Sequence, residues 1–147
     1  MRQLHKSLGE LAFAAAMVIA PALADAQCRS FVKHQCLPDL APYKFNEQFN
    51  GAQLAPGEDA EVSLTFFSGQ EYRVMVCAHP ILGEVNWKLV DGANKIIFES
   101  LADDPKHFFD LKMASTQQLK LQVWVPNGGS SDMVHLGCVA ILVGFKE

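Results

Sequence analysis

From Asp59 onward, apolar and polar residues alternate with a period of two, the pattern of strands that bury one face and wet the other. Ala60, Val62, Leu64 and Phe66 alternate with Glu61, Ser63, Thr65 and Phe67. Ser68-Gly69-Gln70 then turns the chain into Tyr72, Val74, Val76 and Ala78, which alternate with Arg73, Met75, Cys77 and His79. The two runs predict a hairpin. Val85, Trp87 and Leu89 form the next run, and Asp91-Gly92 predicts a turn into Ile96-Ile97-Phe98. Phe109, Leu111 and Met113 mark a short strand, and Leu119, Leu121, Val123 and Val125 alternate with Lys120, Gln122 and Trp124. Pro126 to Asp132 (PNGGSSD) predicts a long hairpin tip leading into His135–Phe145, HLGCVAILVGF. That last run is apolar at both parities and rich in β-branched residues, so it reads as a strand covered on both faces.

Cys28 to Gly57 obeys another rule. Arg29 to Gln35 can make a helical turn, but two cysteines eight apart on one straight helix are too distant to bond, so a Cys28–Cys36 bridge requires a bend. Pro38, Pro42 and Pro56 punctuate the rest of this stretch, with Tyr43, Phe45 and Phe49 between them suggesting an irregular or edge strand laid on the core. The whole gives seven or eight strands and no convincing amphipathic helix. The expected fold is therefore all-β: an antiparallel two-sheet β-sandwich, jelly-roll or Greek-key-like. Residues 27–147 form its single domain, with a disulfide-closed N-terminal strap (27–57) and the regular strands (58–147).

The first 26 residues change the compartment. A weakly basic start (Arg2, His5, Lys6) precedes the apolar run Leu11–Leu23, and Ala24-Asp25-Ala26 supplies small residues for a signal peptidase, so cleavage is expected before Gln27. The thirteen-residue run is short for a membrane span, which needs about 20 apolar residues. No transmembrane segment is expected in the mature chain. Asp25 stands where a lipoprotein signal places leucine, which argues against a lipid on Cys28.

All four cysteines, Cys28, Cys36, Cys77 and Cys138, lie in the exported part, and an even count there implies disulfides. Of three possible pairings, sequence proximity favours Cys28–Cys36 together with Cys77–Cys138. Seven residues between the first two are too many for the usual zinc spacing, so no metal is expected.

Charge narrows the partners. Removing residues 1–26 takes away Arg2, Lys6, Glu10 and Asp25, leaving 10 basic and 14 acidic residues and a net charge of −4. Nucleic acid and anionic membranes both call for basic clusters, and no lysine or arginine cluster longer than a pair occurs.

The runs Gly69–Val74 (GQEYRV), Val85–Asp91 (VNWKLVD) and Leu119–Val123 (LKLQV) resemble the strand series of bacterial pre-peptidase C-terminal type domains, small β-sandwich modules of secreted enzymes. The resemblance spans Glu58 to Val125 and implies a fold and a compartment, with no catalytic role. Glu84 and Asn86 stand where that family carries acidic residues, which weakens a carried-over calcium site.

Motifs for chemistry are absent: there is no HExxH, P-loop, G-x-S-x-G or EF-hand loop. Ser130, Ser131, Asp132 and His135 crowd one hairpin, whereas a catalytic triad gathers from distant segments. Cys77 and His79 share a strand face, but disulfide bonding removes the thiolate. The acidic stretches Glu58–Glu61 and Asp103-Asp104 lack a calcium-ligand ladder. No catalytic residue and no cofactor are expected.

Aromatics are more informative. Trp87 shares parity with apolar neighbours and belongs in the core. Trp124 shares a face with Lys120 and Gln122, and Phe67 with Glu61, Ser63 and Thr65. An aromatic on a polar sheet face is either capped by the strap, the expectation favoured here, or open to a sugar ring or a protein surface. The expected function is an exported, non-enzymatic binding or interaction module for an unknown protein or carbohydrate, in the periplasm or outside the cell. Two alternatives are a small secreted hydrolase-like enzyme with a loop-end site and a structural envelope-associated subunit.

Overall fold

The computed structural model describes residues 20–128 and 134–147, and among them nine strands form two antiparallel sheets. A helical strap comes first: helix α1 (Ala20–Phe31), a π-turn (Val32–Cys36) and a 3-10 turn (Leu37–Leu40). Next come strands β1 (Lys44–Phe45), β2 (Asn50–Leu54), β3 (Asp59–Phe66), β4 (Glu71–Ala78), β5 (Asn86–Val90), β6 (Ile96–Ser100), β7 (Phe108–Lys112), β8 (Gln117–Trp124) and β9 (Gly137–Phe145). The first sheet reads β2-β9-β4-β7, with β1 continuing the line of β2 along β9; the second reads β3-β8-β5-β6. From β2 onward every connection except β5–β6 crosses between the sheets of this β-sandwich.

That winding corrects two predicted hairpins. β3 and β4 belong to different sheets, so Ser68-Gly69-Gln70 is a corner and not a hairpin turn. β8 and β9 are likewise unpaired with each other, and of the predicted tip between them residues 129–132 lie outside the described ones. Alternation reports which face of a strand is buried, and a corner between facing sheets preserves it as well as a hairpin does. Asp91-Gly92 does sit in a true hairpin between β5 and β6.

Between the sheets, Val74, Val139 and Ile141 from one face meet Trp87, Leu89 and Leu121 from the other. Trp87 is 1% exposed, and its Nε1 donates to the Lys106 carbonyl at 2.7 Å. Strand β9 lies between β4 and β1/β2, and every residue from Gly137 to Gly144 is buried. Its inward face meets the core, and its outward Ala140 and Leu142, with Met75 of β4, are covered by Val32, Cys36 and Leu40 of the strap. Each such aliphatic side chain contributes about 1.5–3 kcal/mol when fully removed from water. A Cβ on Gly144 would come within 2.7 Å of Tyr43 Cβ, so the strap's last turn approaches β9 where only hydrogen fits.

The strap corrects two further expectations. Its helical course through Arg29–Gln35 agrees with the helical turn those residues allow, and α1 spans Gln27, before which cleavage is expected. Residues 1–19 of the expected signal peptide lie outside the described residues. The disulfides are Cys28–Cys138 and Cys36–Cys77, not Cys28–Cys36 and Cys77–Cys138. The strap is therefore not closed on itself. A helical path sets Cys28 and Cys36 about 12 Å apart, at 1.5 Å per residue, too far to bond each other yet well placed to reach neighbouring strands. Finally, the strap covers the outer face of the first sheet, whereas Trp124 lies in the second. Burial of Trp124 and Phe67 under the strap is overturned: Tyr43, Phe45 and Phe49 find their cover against β4 and β9 instead.

Arg73 fastens the far end of the strap. Its Nε and Nη2 donate to Asp110 of β7 at 2.7 and 2.8 Å, and Nη1 donates to the Ala41 carbonyl at 3.1 Å. The guanidinium lies 4.7 Å from the Tyr43 ring centre and 4.1 Å from that of Phe108. The paired Arg73 holds the Asp110 carboxyl below its ordinary range, against an opposing effect of burial. A carboxyl depressed in the folded state stabilises fully above its unfolded value near 3.8, and that stabilisation is lost as pH falls through the folded value. Urea titrations between pH 6 and about pH 2 are thus expected to show wild type and Asp110→Asn differing most at neutral pH and converging in acid. A constant difference across that range would sink the ion-pair account.

Candidate functional site

Among the described residues, no strap covers the outer face of the second sheet. Its side chains come from alternate positions of four strands, and the register decides which of them meet. Glu61 of β3 stands opposite Gln122 of β8, Gln122 opposite Lys88 of β5, and Lys88 opposite Glu99 of β6, giving one polar row across the sheet. The neighbouring row is Asp59, Trp124 and Asn86, and the next holds Ser63, Lys120 and Val90.

Trp124 is half-buried at the end of β8, and the Lys88 ammonium stands 5.7 Å from its ring centre. Gln122 donates from Nε2 to Glu61 Oε2, and Lys120 Nζ lies 3.5 Å from Glu61 Oε1. The Gln122 amide, followed by the charge of Lys120, holds the Glu61 carboxyl below its ordinary range despite opposing desolvation. Glu61 is thus an ionised acceptor at neutral pH, not a proton donor. The row offers acceptors and donors beside an aromatic ring.

The four surface residues named from the sequence separate into three and one. Trp124, Gln122 and Lys120 share this face. Phe67 does not join them: it lies just past the far end of β3, eight residues beyond the Asp59–Trp124 pair and about 27 Å away at 3.4 Å per residue. It is 60% exposed, and its N–H donates to the Tyr72 hydroxyl at 3.0 Å. Lys88, Asn86 and Glu61 were missed as neighbours of Trp124, because alternation gives a face but not a cross-strand register.

The other chemical candidates resolve into structural roles. Cys77 is in a disulfide, and no cysteine is free. His79 Nδ1 accepts from the Ile81 N–H at 3.2 Å, closing the turn after β4. Ser130, Ser131 and Asp132 lie outside the described residues. Glu58 accepts from the Ala55 N–H at 2.7 Å, and Asp104 pairs with Lys106 at 2.7 Å. Among the described residues, no three His, Cys, Asp or Glu side chains gather where an ion could bind. A cleft of about 410 Å³ at the β4–β5 end contains Glu84 and His107, 4.0 Å apart and both exposed, but neither His79 nor His135 lines it.

No family model matches the chain, and no curated protein does. Solved structures with a similar arrangement include a periplasmic lysozyme inhibitor of g-type lysozyme from Aeromonas hydrophila, 10% identical over 71% of this chain and 89% of that one, with a TM-score of 0.49. A de novo designed double-stranded β-helix is 13% identical over 67% of this chain and 99% of that one, TM-score 0.32. The CBM36-1 domain of a multidomain xylanase from the hindgut metagenome of Trinervitermes trinervoides is 12% identical over 74% and 93%, TM-score 0.36. At these identities and scores the likenesses transfer neither ligand nor residue roles to this chain.

Proposed function

We propose that this protein is an exported, non-enzymatic binding module that meets a protein or carbohydrate partner through the outer face of β3-β8-β5-β6, centred on Trp124. One observation carries the reading: the strap covers the first sheet's outer face, while no described segment covers the second sheet's face, where Trp124 stands beside a row of engaged polar side chains. Two disulfides suit an oxidising compartment, in keeping with the expected signal peptide. The resemblance to pre-peptidase C-terminal type domains, modules of secreted enzymes, points the same way.

Truncating an aromatic anchor of such a face costs about 2 kcal/mol, roughly thirtyfold in affinity. Trp124→Ala is therefore expected to lose capture of the partner from envelope extract, and Trp124→Phe to retain part of it. Equal capture by wild type and Trp124→Ala would move the site off this face.

A further inference from the structure

We propose that the free edge of β3 accepts an extended polypeptide segment of a partner protein as an added antiparallel strand. The segment carries apolar side chains at alternate positions and basic residues among the others.

The sandwich has four edges, and three are blunted. The β1/β2 edge is broken at 46–49, β7 is five residues long, and β6 is five residues long with a register shift against β5. Short, bulged or interrupted edges resist strand addition. β3 is different. It runs eight residues in unbroken register with β8, and no described strand pairs with its other side.

The hydrogen-bond phase leaves that side with free groups. The Val125 N–H donates to the Glu58 carbonyl at 2.9 Å, and bonding alternates along an antiparallel pair. Ala60, Val62 and Leu64 therefore bond to β8, while the N–H and C=O of Asp59, Glu61, Ser63 and Thr65 face the open edge. Such a template gives an incoming strand its main-chain bonds, and side-chain pockets give it specificity.

The pockets are present. The inward side chains Ala60, Val62 and Leu64 are only partly buried, because the sheets part along this seam. One cleft of about 320 Å³ lies by Ala60 and Val62, floored by Val123 and Ile141. The next, about 620 Å³, lies by Leu64 and Phe66, floored by Val143 and Phe145. Alternate apolar side chains of an added strand point into these two clefts in turn. Asn50, in the first cleft, has a buried Nδ2 with no hydrogen-bond partner, which an acceptor on the incoming segment would satisfy.

Charge selects the occupant. The edge presents Asp59 and Glu61 and no basic residue, so a second copy's β3 brings the same two acids, whereas a basic segment complements them.

The probe is a blocked synthetic peptide, Lys-Val-Thr-Val-Lys-Val-Thr-Val-Lys, added to the disulfide-bonded protein. At saturation, amide exchange by NMR is expected to slow about tenfold or more at Glu61, Ser63 and Thr65, with no change at Val62 and Leu64. Ser63→Pro deletes one outward N–H without touching the β8 ladder, and is expected to weaken the peptide about tenfold at an unchanged melting temperature. Trp124→Ala is expected to bind the peptide as wild type does, which separates this edge from the outer face centred on that residue. Three results would each overturn the proposal: no slowing at Glu61, Ser63 and Thr65 in millimolar peptide, undiminished binding of the same peptide N-methylated at its lysines and threonines, whose N–H groups face β3, or loss of binding in Trp124→Ala. Slowing of those amides by self-association alone would reassign the edge to a second copy. Should Ser63→Pro fail to fold, the wild-type exchange pattern decides.

Discussion

Replacing Cys36 and Cys77 together by serine is expected to lower the folding free energy by about 4 kcal/mol, and replacing Cys28 and Cys138 by nearly 5. The bridges close chain separations of 41 and 110 residues, and the loop-closure entropy withheld from the unfolded chain grows slowly with that length. Sheet and strap then respond differently. The core between the sheets contains neither bridge, whereas Val32, Leu40, Met75 and Leu142 stay dry only while the strap is seated. Denaturant titrations of the two double variants measure the loss. A non-reduced digest gives the sharper test, because a fragment joining Cys28 to Cys36 would restore the pairing favoured by sequence proximity and remove the physical basis of this expectation. A loss under about 1 kcal/mol in both variants would show that the strap is held by packing alone.

Trp87→Ala is expected to cost about 3–5 kcal/mol, the range for emptying a buried aromatic site. Trp87 has Phe98 4.8 Å away between ring centres, and Phe98 in turn stacks on Phe109 at 4.5 Å, so the cavity would open in the wall joining β5, β6 and β7. Trp87→Phe separates two contributions. It keeps much of the volume but leaves the Lys106 carbonyl without its donor, at a cost of about 1–3 kcal/mol. Equilibrium unfolding of both variants checks this. If the alanine variant lost no more than the phenylalanine one, the ring would not be the wall's filler.

Strand existence and facing were legible because burial imposes period two on the residues themselves. Val74 and Val76 against Arg73 and Met75, or Leu119 and Leu121 against Lys120 and Gln122, carry their own orientation. Partnership was not legible. Nothing in Ser68-Gly69-Gln70 distinguishes a hairpin from a corner between sheets, since turn chemistry fixes local dihedral angles and not the sheet the chain enters next. The two-sided apolarity of β9 showed that something covered its outer face, and the strap does so. The disulfides failed for a related reason: nearness in sequence was taken for nearness in space, while the helical path between Cys28 and Cys36 keeps them apart. For the site, Trp124, Gln122 and Lys120 were readable as one face, whereas Lys88 and Glu61 depend on register.

The position of β9 bears on when this protein can fold. Gly137–Phe145 comes after every other strand in the order of synthesis, yet it fills the middle of the first sheet, between β4 and β1/β2. Until it arrives, β2 has no strand partner, Cys28 lacks its bonding partner Cys138, and the strap has only part of its floor. Contacts this distant along the chain make for slow, late-committing folding. An emerging chain therefore lacks a complete first sheet until Gly137–Phe145 has been made. β9 acts as a latch: the first sheet closes only once this strand has been made.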